Sequence, residues 1–160
     1  MSSHKERKGP LSEGPVPDIS LASTSGSPVR LRDLERAIIY FYPRDHTPGC
    51  TAQACGFRDT HASLIERGWS VYGISTDTIE RHRGFIEKHG LGFTLLSDSE
   101  HRAADAFGVQ VKRSMFGKTF LSTKRVTFAI ERGAIVQVWP RADPLRNAQE
   151  VLDWIDSRDP

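Results

Sequence analysis

Ala37-Ile-Ile-Tyr-Phe-Tyr-Pro-Arg-Asp-His-Thr-Pro-Gly-Cys-Thr-Ala-Gln-Ala-Cys55 places a strand, a turn and a helix start in one run. Residues 37–42 are continuously apolar, β-branched and aromatic, which is the pattern of a strand buried on both faces. Pro43 ends it. Thr47 is a favoured N-cap residue, and Pro48 sits at the first helical position, where its missing N–H costs nothing. Ala54, Phe57, His61 and Leu64 then recur at three- and four-residue spacings. A helix is therefore expected from Thr47 to about Arg67, with Gly68 as its stop.

Outward from this run, strand and helix signals alternate. Extended pieces are expected at 18–21 and 29–31, around a turn-rich segment. C-terminal to the first helix come a strand at 69–74 and a helix at 78–89 with Ile79, His82 and Ile86 on one side. A strand at 93–96 and a short helix at 101–107 follow. Residues 108–123 show no clear period and are expected to form a long loop. Residues 126–130 and 134–139, joined by Glu131-Arg-Gly133, form a hairpin pattern. Ala148, Val151, Leu152 and Ile155 mark a closing helix. This order predicts an α/β sandwich around a mixed sheet. Residues 1–16, rich in Ser, Lys, Glu, Gly and Pro, are expected to be a flexible N-terminal tail, and 17–160 a single domain.

The chain has 160 residues and a formal net charge of +2, with acids and bases mixed along its length. That balance argues against nucleic acid or an anionic membrane as a partner. No run approaches the roughly 18 apolar residues of a membrane span. The polar N-terminus has no apolar stretch behind it, so a cytoplasmic protein is expected. Two cysteines in a reducing compartment rarely form a permanent structural bridge.

Cys50 falls in the first turn of the expected helix, among unpaired N–H groups and at the positive end of the helix dipole. Such surroundings favour a thiolate, the nucleophilic form of cysteine. Cys55 follows at i+5. In an intact helix that spacing means a rise of ~7.5 Å and a Cα separation of ~8.7 Å, whereas a disulfide needs about 7 Å or less. A bond between them requires the first turns to unwind. Three readings stand: two unrelated core thiols, a zinc site built from His46, Cys50, Cys55 and His61, or a redox pair. The zinc spacing does not match the usual paired ligand knuckles.

Pro43-Arg-Asp-His-Thr47-Pro-Gly-Cys50 matches the peroxiredoxin signature P-x-x-x-T-x-x-C. The wider stretch FYPRDHTPGCTAQACGFRD resembles the peroxiredoxin Q, or bacterioferritin comigratory protein, subfamily. PDISL, VRLRDL, GISTD, GFTLLSDSE, FGV, GKTF and KRVTFAI follow in family order, so the likeness runs from about Pro15 to Ile155.

The resemblance implies a thioredoxin-like fold with the N-terminal extension of peroxiredoxins. It implies a thiol-dependent peroxidase acting on hydrogen peroxide and organic hydroperoxides. Cys50 matches the peroxidatic cysteine and Cys55 the resolving cysteine. Thr47 matches the threonine that bonds the peroxide, and Pro43 the proline that shields the site. Arg125 matches the arginine beside the thiolate. Re-reduction by thioredoxin or a similar dithiol donor is implied, in a monomer or weak dimer without metal, flavin or haem. Gln53 departs from the pattern, since relatives commonly carry Glu there. The different-class alternative is a non-catalytic zinc-binding or interaction module that uses Cys50, Cys55, His46 and His61.

Overall fold

The computed structural model describes residues 9–158. Its strands are β1 (Gly14–Pro15), β2 (Ser20–Ser23), β3 (Val29–Arg30), β4 (Arg36–Phe41), β5 (Ser70–Ser75), β6 (Thr94–Ser97), β7 (Gln110–Met115), β8 (Lys118–Thr123), β9 (Val126–Glu131) and β10 (Ala134–Trp139). Its α-helices are α1 (Pro48–Glu66), α2 (Ile79–His89), α3 (Arg102–Ala106) and α4 (Asn147–Arg158). One sheet runs in the order β1-β10-β9-β4-β5-β6-β2-β3. β4, β5 and β6 are parallel neighbours, and β9 and β10 complete the other side antiparallel. The fold is thus the mixed thioredoxin-like α/β arrangement that the sequence predicts.

β4 shows why residues 37–42 read as a doubly buried strand. Ile38, Tyr40 and Tyr42 join the core under α1, α2 and α4, with Phe57, Phe85, Val151 and Ile155. Ile39 and Phe41 point the other way, into a second core with Phe107, Phe128 and Ile130. The period of two places consecutive side chains in different layers. Tyr40 stacks on Phe57 at 4.8 Å between ring centroids, a pairing worth about 0.5–1.5 kcal/mol beyond the area buried. Trp69 is fully buried, and Trp154 bridges it edge-on to Trp139. Helix α2 begins as expected, with Thr78 Oγ1 accepting from the Arg81 N–H, and ends at Gly90 in the left-handed region.

Glycine at 73 is set by packing. A Cβ there would lie 2.7 Å from Leu95 Cδ2 and 2.9 Å from Tyr40 Cζ. Gly73→Ala is expected to destabilise the fold by about 1–3 kcal/mol through overpacking. Urea denaturation checks this, and an unchanged midpoint would mean that the Tyr40–Leu95 contact yields freely.

Two expectations need correction. Residues 108–123 are not a loop, because β7 and β8 pair as a separate two-stranded hairpin. Phe116 and Gly117 both take positive φ at its tip, 54° and 77°, as a two-residue hairpin turn requires. The hairpin is solvated along most of its length, with Met115, Phe116, Phe120 and Leu121 exposed. No buried face imposed an apolar alternation on the sequence. The second correction concerns the tail. Residues 1–8 lie outside the described residues, but residues 14–16 are held by the sheet edge and the core. Gly14–Pro15 pairs with β10, Val16 is fully buried, and the Leu11 N–H donates to the Phe107 carbonyl. Leu11 and Val16 serve as apolar anchors along the second core.

Candidate active site

Helix α1 begins where β4 ends, so the turn from Pro43 to Thr47 fixes where Cys50 sits. Thr47 is the N-cap residue, and Pro48 occupies the first helical position. The Thr47 side chain does not cap the helix. Its hydroxyl donates to the Arg44 carbonyl at 2.9 Å, while its carbonyl accepts the Thr51 N–H. Among the described residues no side chain accepts from the first-turn N–H donors, and that turn holds no acidic residue. These donors surround Cys50, whose residue is 1% exposed.

Arg125 reaches this helix start from the segment between β8 and β9. Its Nη1 lies 3.5 Å from Cys50 Sγ and donates to Gln53 Oε1 at 2.8 Å. The guanidinium passes over Gly49, where a Cβ would stand 3.0 Å from Nη2. A glycine is what permits that approach. Among the described residues no carboxylate pairs with Arg125. Its partners are the sulfur and a neutral amide, so its charge is left for the sulfur. Gln53 is fully buried. Its Nε2 donates to Asn147 Oδ1, which also accepts from Thr127 Oγ1 at 2.7 Å. The chain Arg125–Gln53–Asn147–Thr127 thereby ties the starts of α1 and α4 to β9.

Cys55 lies two turns from the start of α1, half-buried, and both cysteines are free thiols. They share one uninterrupted helix, which keeps them apart. Pro43 stands directly after the buried Tyr42 at the exit of β4.

A second polar cluster lies on the other side of the turn, and the sequence reading missed it. Asp45 is buried, its carboxylate between the Tyr42 hydroxyl and His82 Nδ1. His82, from the α2 side expected to carry Ile79 and Ile86, is fully buried. Burial pushes the Tyr42 hydroxyl well above its ordinary range, with Tyr40 and Asp45 adding to the effect, so it stays a neutral donor. Burial also works against charge on Asp77. The bonds from Ser75, the Asp45 N–H and Arg81 outweigh it and hold that carboxyl below its ordinary range.

The zinc alternative does not assemble. The His46 ring packs on Phe85 and the His61 ring on Phe93. Among the described residues, the only trio of metal-type groups is Asp45, Asp77 and His82. Their oxygens and ring nitrogens are taken up by internal partners.

A buried thiol at an uncapped helix start, under an arginine and at the end of a central strand, defines a thiol-based redox protein of the thioredoxin-like class. Comparison with known proteins narrows the class. Residues 13–138 match the AhpC/TSA family. The putative peroxiredoxin bcp of Coxiella burnetii is 42% identical over 140 residues, 86% of this chain and 93% of that protein. Peroxiredoxin Bcp of Escherichia coli (strain K12) is 41% identical over 150 residues, 91% of this chain and 96% of that protein. The bacterioferritin comigratory protein of Xanthomonas campestris, studied for its alkyl peroxide reduction activity, superposes with a TM-score of 0.81 at 30% identity. The match covers 88% of this chain and 91% of that one. The chain belongs to the AhpC/TSA family and, within it, to the peroxiredoxins of the Bcp, or peroxiredoxin Q, type. It is a thiol-dependent peroxidase.

Proposed function

We propose that Cys50 is the peroxidatic nucleophile and Cys55 the resolving thiol of this peroxidase, with Thr47, Arg125 and Pro43 completing the site. The observation that most supports this reading is the Arg125 guanidinium, 3.5 Å from Cys50 Sγ with no carboxylate partner among the described residues. The Cys50 thiolate attacks the terminal oxygen of a hydroperoxide and the O–O bond breaks. Sulfur loses two electrons and becomes a sulfenic acid, while the departing oxygen takes a proton and leaves as an alcohol or water. Arg125 and the open N–H groups of α1 balance the negative charge as it moves from sulfur to oxygen. The Thr47 hydroxyl holds the peroxide, and Pro43 limits the access of water.

The Cys55 thiol then displaces the sulfenic hydroxyl as water, forming the disulfide. Thioredoxin or a similar dithiol returns two electrons and itself becomes a disulfide. Hydrogen peroxide and alkyl hydroperoxides are the proposed substrates, the latter as for the Xanthomonas relative. No helix among the described residues is long and apolar enough to cross a membrane. The proposed setting is the cytoplasm and the proposed state a monomer or weak dimer.

Peptide mass mapping after one equivalent of peroxide tests the cycle. The wild type is expected to yield a Cys50–Cys55 disulfide that thioredoxin removes, and Cys55→Ser a sulfenic acid at Cys50. Because α1 runs unbroken through both cysteines, the disulfide form must lose its first turns. Hydrogen exchange over residues 49–57 is expected to quicken in oxidised wild type and not in Cys55→Ser. Bridging between chains, or equal protection with the intramolecular disulfide confirmed, would overturn this pairing within a helix.

A further inference from the structure

The turn that carries Thr47 hangs from a buried carboxylate that the chemistry above leaves unused. Asp45 Oδ1 accepts from the Tyr42 hydroxyl at 2.5 Å, and Oδ2 faces His82 Nδ1 at 2.6 Å. Its backbone N–H donates to Asp77 Oδ2 at 2.7 Å, and its carbonyl accepts from Arg81 Nη2 at 3.4 Å. His82, on α2, points its other nitrogen at the Leu96 carbonyl at 2.9 Å, so that nitrogen carries a proton. Asp77 is fixed in turn by Ser75 Oγ and Arg81 Nε. Groups from α2 and from the ends of β4, β5 and β6 thus converge on residue 45.

The next residue shows what this convergence holds in place. His46 has a φ of 67°, a left-handed conformation that few non-glycine residues adopt and that persists only where its surroundings over-determine it. Its ring rests on Phe85, and on its N-terminal side the chain is held by the four bonds of Asp45. On its C-terminal side Thr47 turns back to donate to Arg44 and opens α1. The distance in sequence from the clamp to Cys50 is only the length of this turn.

We infer that Asp45, clamped by Tyr42 and His82, is a positioning residue for the peroxide step: it sets the His46–Thr47 turn and through it the Thr47 hydroxyl relative to Cys50. The inference rests on the reading of Thr47 as a peroxide-holding group. It assigns no role to the carboxylate in bond making or breaking.

The test measures two rates at Cys50 in the reduced full-length protein. One is oxidation by hydrogen peroxide, which needs a placed peroxide. The other is alkylation by iodoacetamide, which needs only a reactive, reachable sulfur. Asp45→Ala is expected to slow oxidation by about 30- to 100-fold, the scale of a misplacement near 1 Å, with alkylation changed less than about twofold. Asp45→Asn is expected to recover most of the rate. Its amide can accept from Tyr42 and donate to a neutral His82 ring, keeping the geometry without the charge. Tyr42→Phe removes one bond of the clamp and is expected to slow oxidation about five- to tenfold. It stands in if the alanine variant does not fold.

Thr47→Val separates this inference from the reading beneath it. If Thr47→Val leaves oxidation unchanged, the role of Thr47 is wrong. If it slows oxidation, Asp45→Ala added to it should cost little more, because both changes act through one hydroxyl. Fully additive effects would overturn the inference. So would a folded Asp45→Ala or Tyr42→Phe protein with wild-type oxidation, a parallel loss of alkylation, or an asparagine variant as slow as the alanine one.

Discussion

Cys50→Ser is expected to abolish peroxide turnover while the protein stays folded. The side chain packs against the core under β4, and serine is close enough in size that the surrounding aromatic stack need not rearrange. What changes is the chemistry. A neutral hydroxyl is a weak nucleophile without an adjacent base, and among the described residues no base bonds to this side chain: its polar neighbour is a guanidinium that only donates. Cys55 cannot take over, because it stands about 7.5 Å further along the axis of the same helix, away from Arg125. Turnover should fall by at least about a thousandfold, to the uncatalysed background. Peroxide consumption with thioredoxin or dithiothreitol as reductant measures the loss, and circular dichroism reports the fold. A folded mutant retaining more than a few per cent of the activity would remove Cys50 from the reaction.

The second large effect is expected at Arg125. Removing a single aimed donor from a site where charge develops commonly costs 10²–10³ in rate. Arg125→Ala should slow oxidation of Cys50 by about that much. Lysine restores charge but not the planar fork that reaches the sulfur and Gln53 together, so Arg125→Lys should recover only part of the rate. Gln53 bears on the size of this effect. A glutamate there would pair with the guanidinium and draw its charge away from the sulfur, whereas the amide accepts one hydrogen bond and leaves the charge in place. Stopped-flow oxidation of the two variants checks the prediction. A wild-type rate in the alanine protein would show that proximity at 3.5 Å carries no catalytic weight.

The fold was legible where burial imposes a period. β4 announces itself because both of its faces enter a core, and α1 because its N-terminal Thr-Pro signal and apolar stripe agree. β7 and β8 were illegible because water covers most of both faces, leaving only the Phe116-Gly117 turn as a cue. The site divides in the same way. Cys50 could be placed from local helix chemistry, since its neighbours in sequence are its neighbours in space. Arg125 could not: a lone arginine before a strand reads as surface, and only the resemblance pointed to it. Asn147 and His82 were out of reach for a related reason. Their partners Gln53 and Asp45 are distant in sequence, and no local pattern marks a polar residue destined for a buried bond.

The bonds linking Arg125, Gln53 and Asn147 also bear on how strong an oxidant the proposed disulfide is. Gln53 lies between the two cysteines, so bridging them unwinds the segment that places it and severs the chain. Whatever free energy that chain gives the dithiol form is absent from the disulfide form. For a two-electron couple, each ~1.4 kcal/mol of such preference raises the midpoint potential by ~30 mV. On the proposed assignment, the contacts that hold Cys50 in readiness for peroxide would also make a Cys50–Cys55 disulfide more willing to accept electrons. In that cycle, sensitivity to oxidant and ease of recycling would be coupled through one amide side chain, that of Gln53.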